Sequence, residues 1–264
     1  MLQKNISYQN TNIHYNIYGN GKTVMLIHGF AEDSSIFNLQ INYLKQNYQV
    51  IVPDLPGIDK SQMFEKENVN LTDYAAILKA IVDSEKIKTL TLLGHSMGGY
   101  ITLAYAAKYG ETLNGFGLIH SSAYADDEAK IITRKKAINF IKENGSDLFL
   151  KTIIPNLFYN IEKNKDEINI LIEKGNSFSS EVLIQQYNAM ITRLDSTSIL
   201  KTFNHPILFI IGEHDKAISF DHSLQQSHLP KIAYIHILRN SGHMGMKEEA
   251  ENVNKILAEF LHSL

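Results

Sequence analysis

The chain has 264 residues, 44% of them hydrophobic, which is enough for the core of one enzyme-sized domain. The formal net charge of −3 excludes a basic face for nucleic acid and a charged tail for anionic membranes, so we expect a small-molecule substrate. The absence of cysteine excludes disulfide scaffolds, thiol nucleophiles and cysteine-ligated zinc, and it fits a reducing cytoplasm.

Neither a signal peptide nor a membrane span is expected. Residues 1–7 lack an apolar core, and the longest uncharged stretch, Thr89 to Ala107, is interrupted by Gly94, His95 and Ser96. We therefore predict a cytoplasmic protein without stable membrane insertion, either a monomer or a homodimer.

The first 120 residues alternate between strand and helix patterns. Alternating apolar residues and an Asn-rich turn predict an opening hairpin, and short apolar runs predict buried strands. The predicted strands are Ile6–Tyr8, Ile13–Tyr18, Thr23–Ile27, Gln49–Val52, Thr89–Leu93 and Gly115–Ile119. The predicted helices run from Ser34 or Ser35 to about Gln46, from a Thr72 cap to about Ser84, and from Met97 to Tyr109.

The alternation stops after residue 120, where helix patterns follow one another without a convincing strand. They cover Ile131–Asn144, Asp147–Phe158, Glu167–Lys174 and Glu181–Met190. Strands resume at Pro206–Gly212 and Ala233–Leu238, before a last helix from about Lys247 to Leu261. The sequence predicts one α/β domain over residues 1–264: a mostly parallel eight-stranded sheet with helices on both faces (core 1–120 and 191–264) and a helical cap insertion at 121–190.

Ser96 is the candidate nucleophile. It lies within Gly94-His95-Ser96-Met97-Gly98-Gly99, after a buried strand and before a helix. Glycines on both sides allow the strand and helix to approach closely, and the sharp turn exposes the serine oxygen. The carboxyl ends of parallel strands are also where ligands bind in such sheets.

A serine hydroxyl needs a histidine to accept its proton and a carboxylate to orient that histidine. Of the 11 histidines, His243 is the best placed, because it follows the last strand at the sheet edge where Ser96 emerges. His28 and His95 also adjoin this edge, but each lies in a tight turn, which favours a loop-shaping role.

Asp215 is the candidate acid, because it ends the turn after the Pro206 strand and precedes His243 in the chain. The resulting order, Ser, Asp, His, is the one expected for this architecture. Four other carboxylates remain as alternatives: Glu213, Asp221, Asp126 and Asp127.

Backbone N–H groups of Phe30 and Met97 are the candidate oxyanion donors, since the first follows the third strand and the second begins the helix after Ser96. The side chains of Phe30, Met97 and Phe158 are predicted to line the substrate pocket. Further cap residues could contribute an apolar lining, although an aromatic stripe at helical spacing more often belongs to the cap's own core. These residues are Phe140, Phe149, Leu150, Ile153, Ile154, Leu157 and Tyr159.

Five motifs in order resemble the α/β-hydrolase superfamily, specifically its small cap-bearing serine esterases and lipase-like members. They are His28-Gly29-Phe30, Pro53-Asp54-Leu55-Pro56-Gly57, Gly94 to Gly99, Gly212-Glu213-His214-Asp215 and Gly242-His243. The resemblance spans nearly the whole chain and disfavours relatives with an aspartate nucleophile. One departure is Asp59, where relatives often have a glycine.

The sequence therefore predicts a serine hydrolase that cleaves carboxylic esters of small to medium acyl groups through an acyl-enzyme, without a metal or organic cofactor. Enol-lactone and carbon–carbon bond hydrolysis on the same triad are alternatives, as is a small-molecule receptor that retains a hydrolase pocket. A lyase like that of the menaquinone pathway ranks lower, because the predicted cap offers only Arg134, with Arg193 at its edge.

Overall fold

The computed structural model describes residues 1–264 and is built on one eight-stranded sheet. The strands are β1 (Leu2–Tyr8), β2 (Thr11–Tyr18), β3 (Thr23–Ile27), β4 (Gln49–Pro53), β5 (Leu90–His95), β6 (Leu113–Ile119), β7 (Ile207–Gly212) and β8 (Ala233–Leu238). Their order is β1-β2-β4-β3-β5-β6-β7-β8. The β1–β2 and β2–β4 pairs are antiparallel, and all other pairs are parallel. The predicted fold class is confirmed.

Ten helices accompany the sheet. They are α1 (Asn38–Leu44), α2 (Leu71–Ser84), α3 (Met97–Tyr109), α4 (Glu128–Ile153), α5 (Lys165–Gly175), α6 (Ser180–Ile191), α7 (Thr197–Thr202), α8 (Phe220–Ser227), α9 (Gly245–Glu248) and α10 (Ala250–His262). Strands β3, β5 and β7 carry apolar side chains buried on both faces, as expected of a sheet covered by helices. None of the helices is both long and apolar enough to cross a membrane.

Several predicted helices differ from those in the structure. Asn70 caps α2 instead of Thr72, because its side-chain oxygen accepts from the backbone N–H groups of Thr72 and Asp73. The last helix is divided into α9 and α10. Both α7 and α8 lie in segments where no helix was predicted, and each has eight residues or fewer, too few for a clear apolar period.

The cap segment, residues 121–190, contains α4 and α5 and nearly all of α6. Gly145 interrupts α4 with a φ of 84°, so the two helix patterns that meet near this residue are two helices joined at a break. Both α4 and α6 face the sheet edge where β5 and β7 end, and they therefore cover the region that holds Ser96.

The elbow between β5 and α3 depends on close backbone contact. A Cβ atom on Gly98 would lie 2.2 Å from the carbonyl oxygen of Ile27 at the end of β3. A Cβ atom on Gly94 would lie 2.2 Å from the carbonyl oxygen of Gly98. Glycine at both positions lets α3 begin directly against the ends of β3 and β5.

We expect Gly98→Ala to lower the free energy of unfolding by about 1–3 kcal/mol, because the new methyl group must separate α3 from β3. Urea denaturation measures this change. Gly110→Ala is the matched control, since a Cβ atom there has its nearest neighbour at 3.8 Å and the φ is −58°. Equal stability of the two variants would contradict the close-contact argument.

Candidate active site

Ser96 adopts a strained backbone conformation at the turn between β5 and α3. Its φ is 51° and its ψ is −116°, a region that residues with a Cβ rarely occupy. The Ser96 N–H donates to the carbonyl of Ile119 at 3.0 Å, and the Ser121 hydroxyl donates to the Ser96 carbonyl at 2.7 Å. Both bonds tie the strained residue to β6 and the loop after it.

His243 and Asp215 form a direct side-chain pair. His243 Nδ1 donates to Asp215 Oδ2 at 2.8 Å, and Asp215 Oδ1 accepts from the backbone N–H groups of Ala217 and Ile218 at 2.8 and 2.9 Å. Burial alone would raise the pKa of Asp215, but the charge and hydrogen bond of His243 and the neighbouring His120 hold it well below its usual range. With Nδ1 committed to a carboxylate, Nε2 is the basic nitrogen of the neutral His243 ring.

The backbone of His243 is held from two sides. Its N–H donates to the carbonyl of Leu157 at 2.7 Å, and its carbonyl accepts from His95 Nε2 at 2.9 Å. Glu248 supports the same loop by accepting from the N–H groups of Gly242 at 2.7 Å and Tyr159 at 2.8 Å. The stretch of the cap segment that follows α4 is thus fastened to the loop that carries the histidine.

The peptide between Gly29 and Phe30 is oriented by His28. His28 Nδ1 donates to the Gly29 carbonyl at 2.9 Å, and His28 Nε2 accepts from the Leu55 N–H at 2.9 Å. In a trans peptide the C=O and N–H point in opposite directions, so this bond aims the Phe30 N–H away from His28. The Phe30 N–H has no protein acceptor, and the Met97 N–H begins α3, where no intrahelical acceptor exists.

A third histidine, His120, lies beside the pair. Its Nε2 accepts from the Gly245 N–H at 3.2 Å, which places the ring proton on Nδ1, 3.5 Å from Asp215 Oδ2. Burial lowers the pKa of His120 to about 4, and the neighbouring carboxylate only partly offsets this. His120 is therefore neutral, and its Nδ1 lies near Asp215 without a hydrogen bond to it. The sequence signal that could have identified it is its position at the end of β6, on the same sheet edge as Ser96.

Three side chains here have the chemistry of metal ligands, because nitrogen and oxygen atoms of His120, Asp215 and His243 lie within 4.8 Å of one another. Both histidines present a protonated Nδ1 to the carboxylate. A cation would have to displace these protons, so the hydrogen-bonded arrangement suits proton transfer better than metal binding.

Ser96 and His243 open into a cavity of about 500 Å³ between the sheet edge and the cap segment. Phe30 lines it. Phe158 does not, because it is 1% exposed and packs into the core, and the adjacent Leu157 lines the cavity instead. The Met97 side chain is also buried outside the cavity.

The other proposed cap residues divide between cavity and core. Ile153 and Ile154 line the cavity, whereas Phe149 packs edge-on against Phe30 at 6.5 Å between ring centroids. Tyr159 is half-exposed and stacks on His214 at 3.7 Å. The stripe is thus part lining and part cap core.

The alternative carboxylates lie elsewhere. Asp126 pairs with Arg134 at 2.6 Å and Arg193 at 2.7 Å. Asp127 caps α4 by accepting from the Lys130 N–H at 2.7 Å. Glu213 and Asp221 are exposed. Of the five candidates, only Asp215 contacts His243.

A second and larger cavity, of about 980 Å³, lies between α2, α3 and the end of α6. Tyr100 lines both cavities, but Ser96 and His243 line only the smaller one. The larger cavity is therefore not the candidate site. The smaller cavity is, because Ser96 and His243 converge on it.

Comparisons with known proteins agree with the fold. A sequence model described as serine aminopeptidase, S33, matches residues 20–249. The chain superimposes on a thermophilic esterase from Thermogutta terrifontis with a TM-score of 0.93 and 23% identity, covering 100% of this chain and 99% of the other. For an enol-lactonase from Burkholderia xenovorans the TM-score is 0.90, with 20% identity and coverage of 98% and 100%. A 2-hydroxy-6-oxo-6-phenylhexa-2,4-dienoate hydrolase from Comamonas testosteroni is 24% identical, covering 94% of this chain and 91% of the relative.

The lowered pKa of His120 predicts an acid-sensitive fold. Between pH 6.5 and about 4 the unfolded state binds a proton that the folded state does not, so stability falls as the pH falls. We expect this residue to contribute a loss of up to about 1.4 kcal/mol per pH unit in that window. Urea denaturation from pH 7 to 4.5 should give a shallower slope for His120→Asn, because asparagine tolerates the φ of 47° and does not titrate. Equal slopes would contradict the assignment.

Proposed function

The chain belongs to the serine aminopeptidase (S33) family of α/β hydrolases, and we propose that it is a serine hydrolase of carboxylic esters with small to medium acyl groups. The observation that carries the proposal is that Ser96 and His243 line the same cavity. Ser96 lies at a strained elbow, and His243 Nδ1 is hydrogen-bonded to Asp215. This arrangement supplies a nucleophile, a base and an orienting carboxylate.

In the proposed reaction, Ser96 Oγ attacks the ester carbonyl carbon while His243 Nε2 accepts the hydroxyl proton. The tetrahedral oxyanion is stabilised by the N–H groups of Phe30 and Met97, which need no reorganisation because the backbone already fixes them. Collapse breaks the ester C–O bond, and His243 gives its proton to the departing alkoxide. Water then attacks the acyl-enzyme with His243 as base, releasing the acid and restoring Ser96.

Asp215 orients His243 and stabilises the imidazolium that forms twice in each cycle. Its Oδ1 is held by two backbone N–H groups, so the carboxylate cannot rotate to follow another partner. The low pKa of Asp215 keeps it ionised at every pH at which His243 acts as a base. These features favour Asp215 as the acid.

Arg134 is one of three cationic side chains that line the cavity, with Lys130 and Lys216, and its side chain is 11% exposed. Arg134 donates from Nε and Nη2 to Asp126 at 2.6 and 3.5 Å, and from Nη1 to the Met190 sulfur at 3.3 Å. Of the five N–H groups of a guanidinium, these bonds use three. Two remain for an acceptor in a cavity whose lining is otherwise mostly apolar.

Arg134 therefore favours an acyl group that ends in a carboxylate, and it supports a second candidate function. The Comamonas relative is named for a dienoate, which is a carboxylate. Hydrolysis of an acidic enol-lactone, or of a carbon–carbon bond in an acidic ketone, would use the same Ser96 and His243 with the anion on Arg134.

We expect a fluorophosphonate to label wild-type protein and not Ser96→Ala, because only an activated serine attacks the phosphorus. Asp215→Asn should lower kcat for p-nitrophenyl butyrate by about 10⁴-fold, since an amide holds the wrong histidine tautomer. Asp221→Asn is the matched control, being an exposed aspartate on the neighbouring α8, and it should leave kcat unchanged.

Three outcomes would overturn parts of this assignment. A folded wild type that is not labelled would refute the serine mechanism. If p-nitrophenyl butyrate acylates Ser96 once and the acyl group is then released far more slowly, the result would favour a receptor. If Asp221→Asn lost activity and Asp215→Asn did not, the choice of acid would be wrong.

We expect kcat/KM to be greater for the p-nitrophenyl monoester of glutarate than for p-nitrophenyl valerate, by about 10-fold or more, because a hydrogen bond between charged groups contributes about 1.5–3 kcal/mol. Arg134→Gln should remove this preference and leave kcat/KM for p-nitrophenyl valerate unchanged. Arg193 still pairs with Asp126 in that variant. Steady-state kinetics on acyl chains from acetate to palmitate, with an enol-lactone and a vinylogous diketone, completes the comparison. Turnover of the diketone without any ester would replace the ester proposal with the carbon–carbon one.

A further inference from the structure

A second carboxylate–histidine pair lies beneath the proposed triad. Glu32 follows the oxyanion loop and is 6% exposed, and His95 directly precedes Ser96 and is fully buried. Glu32 Oε2 accepts from His95 Nδ1 at 2.9 Å and from the Gly29 N–H at 2.6 Å. The other ring nitrogen, His95 Nε2, lies 2.9 Å from the carbonyl oxygen of His243.

The contacts and the directions of both pKa shifts favour a doubly protonated His95. A carbonyl oxygen only accepts, so Nε2 carries a proton, and a carboxylate oxygen that also accepts from Gly29 leaves the second proton on Nδ1. Burial alone would lower the pKa of His95 and raise that of Glu32, but their mutual attraction and hydrogen bonds reverse both directions. The other titratable groups that face this pair are His28, His120, His243 and Asp215.

The packing around the pair leaves it little freedom to move. A Cβ atom on Gly29 would lie 3.0 Å from Glu32 Oε2 and 3.1 Å from His95 Nδ1, so glycine leaves the space that the ion pair occupies. The carboxylate, the imidazolium and the backbone groups of Gly29 and His243 form one connected hydrogen-bonded chain. Such a buried pair is strongly disrupted when either partner is removed alone, because the remaining charge is unpaired.

We propose that Glu32 and His95 are positioning residues that hold the oxyanion loop, the nucleophile and the His243 loop at fixed separations. The inference rests on the proposed function, because it assigns the pair a role in that reaction. Glu32 fixes the peptide that precedes the Phe30 donor, and His95 fixes the carbonyl of the base. Both act through backbone groups, and neither is required to contact the substrate.

The test measures kcat, KM and fluorophosphonate labelling for Glu32→Gln, His95→Gln and the double variant. Each single change should lower kcat and the labelling rate by about 10- to 100-fold with little change in KM, as expected when reacting groups are displaced by about 1 Å. In the double variant two neutral amides replace the ion pair. Its loss of kcat should therefore be smaller than the product of the two single losses.

His14→Gln is the matched control, because His14 and Asp54 form another buried pair, at 3.1 Å, outside the cavity. Its melting temperature should fall as in the single variants, while kcat stays at the wild-type value. NMR of ¹⁵N-labelled histidine gives an independent result: His95 should carry protons on both nitrogens at pH 7.5 in the wild type and on one in Glu32→Gln.

The failures are separable. A wild type that neither labels nor turns over any ester refutes the proposed function and, with it, this role. If the wild type labels and both single variants label equally fast, the positioning role alone is wrong. A singly protonated His95 in the wild type, or kinetic losses in His14→Gln as large as those in Glu32→Gln, would also overturn it.

Discussion

The strained turn at Ser96 is the constraint on which the rest of the site depends. A residue with a Cβ at φ 51° and ψ −116° carries a conformational cost of about 1–3 kcal/mol, which persists only when the surroundings hold it in place. Here the N–H is bonded to Ile119, the carbonyl to Ser121, and Gly98 lets the helix begin against β3. Gly99 completes the arrangement, since a Cβ atom there would lie 2.3 Å from the Ser121 hydroxyl oxygen that makes the second bond.

Three histidines close to one another at the site would repel if all were charged, and their different partners prevent this. The ring centroids of His95 and His243 are 4.8 Å apart, and those of His120 and His243 are 5.9 Å apart. His95 is bonded to a carboxylate and a carbonyl and is cationic, whereas His120 accepts a backbone N–H and stays neutral. The site therefore has one fixed cation, His95, paired with Glu32. His243, hydrogen-bonded to Asp215, is left to exchange protons.

Most of the fold and the Ser96, His243 and Asp215 constellation could be predicted because each lies at the carboxyl end of a strand with a clear apolar pattern. Parallel strands bring such ends together whatever the intervening sequence. Asp59 is a local example: it replaces a glycine of related sequences and adopts a φ of 47°, a conformation that aspartate tolerates better than most residues.

What the sequence did not reveal depends on side-chain direction and long-range pairing. Phe158 and Leu157 are adjacent and both apolar, so only their orientation decides that Leu157 lines the cavity. Glu32 and His95 are 63 residues apart; Glu32 lies in a loop and His95 is the last residue of β5, so neither segment alone indicates the pair. Their pairing becomes visible only when β3 and β5 are placed side by side, as their parallel register requires.

In the proposed function, one charge imbalance in the cap segment bears on the choice of substrate. Asp126 is fully buried and faces two guanidinium groups, Arg134 and Arg193, so this cluster has one positive charge in excess. Arg193 is directed away from the Ser96 cavity and stacks over Tyr100 at 4.0 Å, which leaves Arg134 to face the cavity. An uncompensated buried cation is costly unless an anion completes it. An anion that accepts hydrogen bonds from the two free N–H groups of Arg134 would balance this excess charge, which is why the proposed function favours an acidic acyl group.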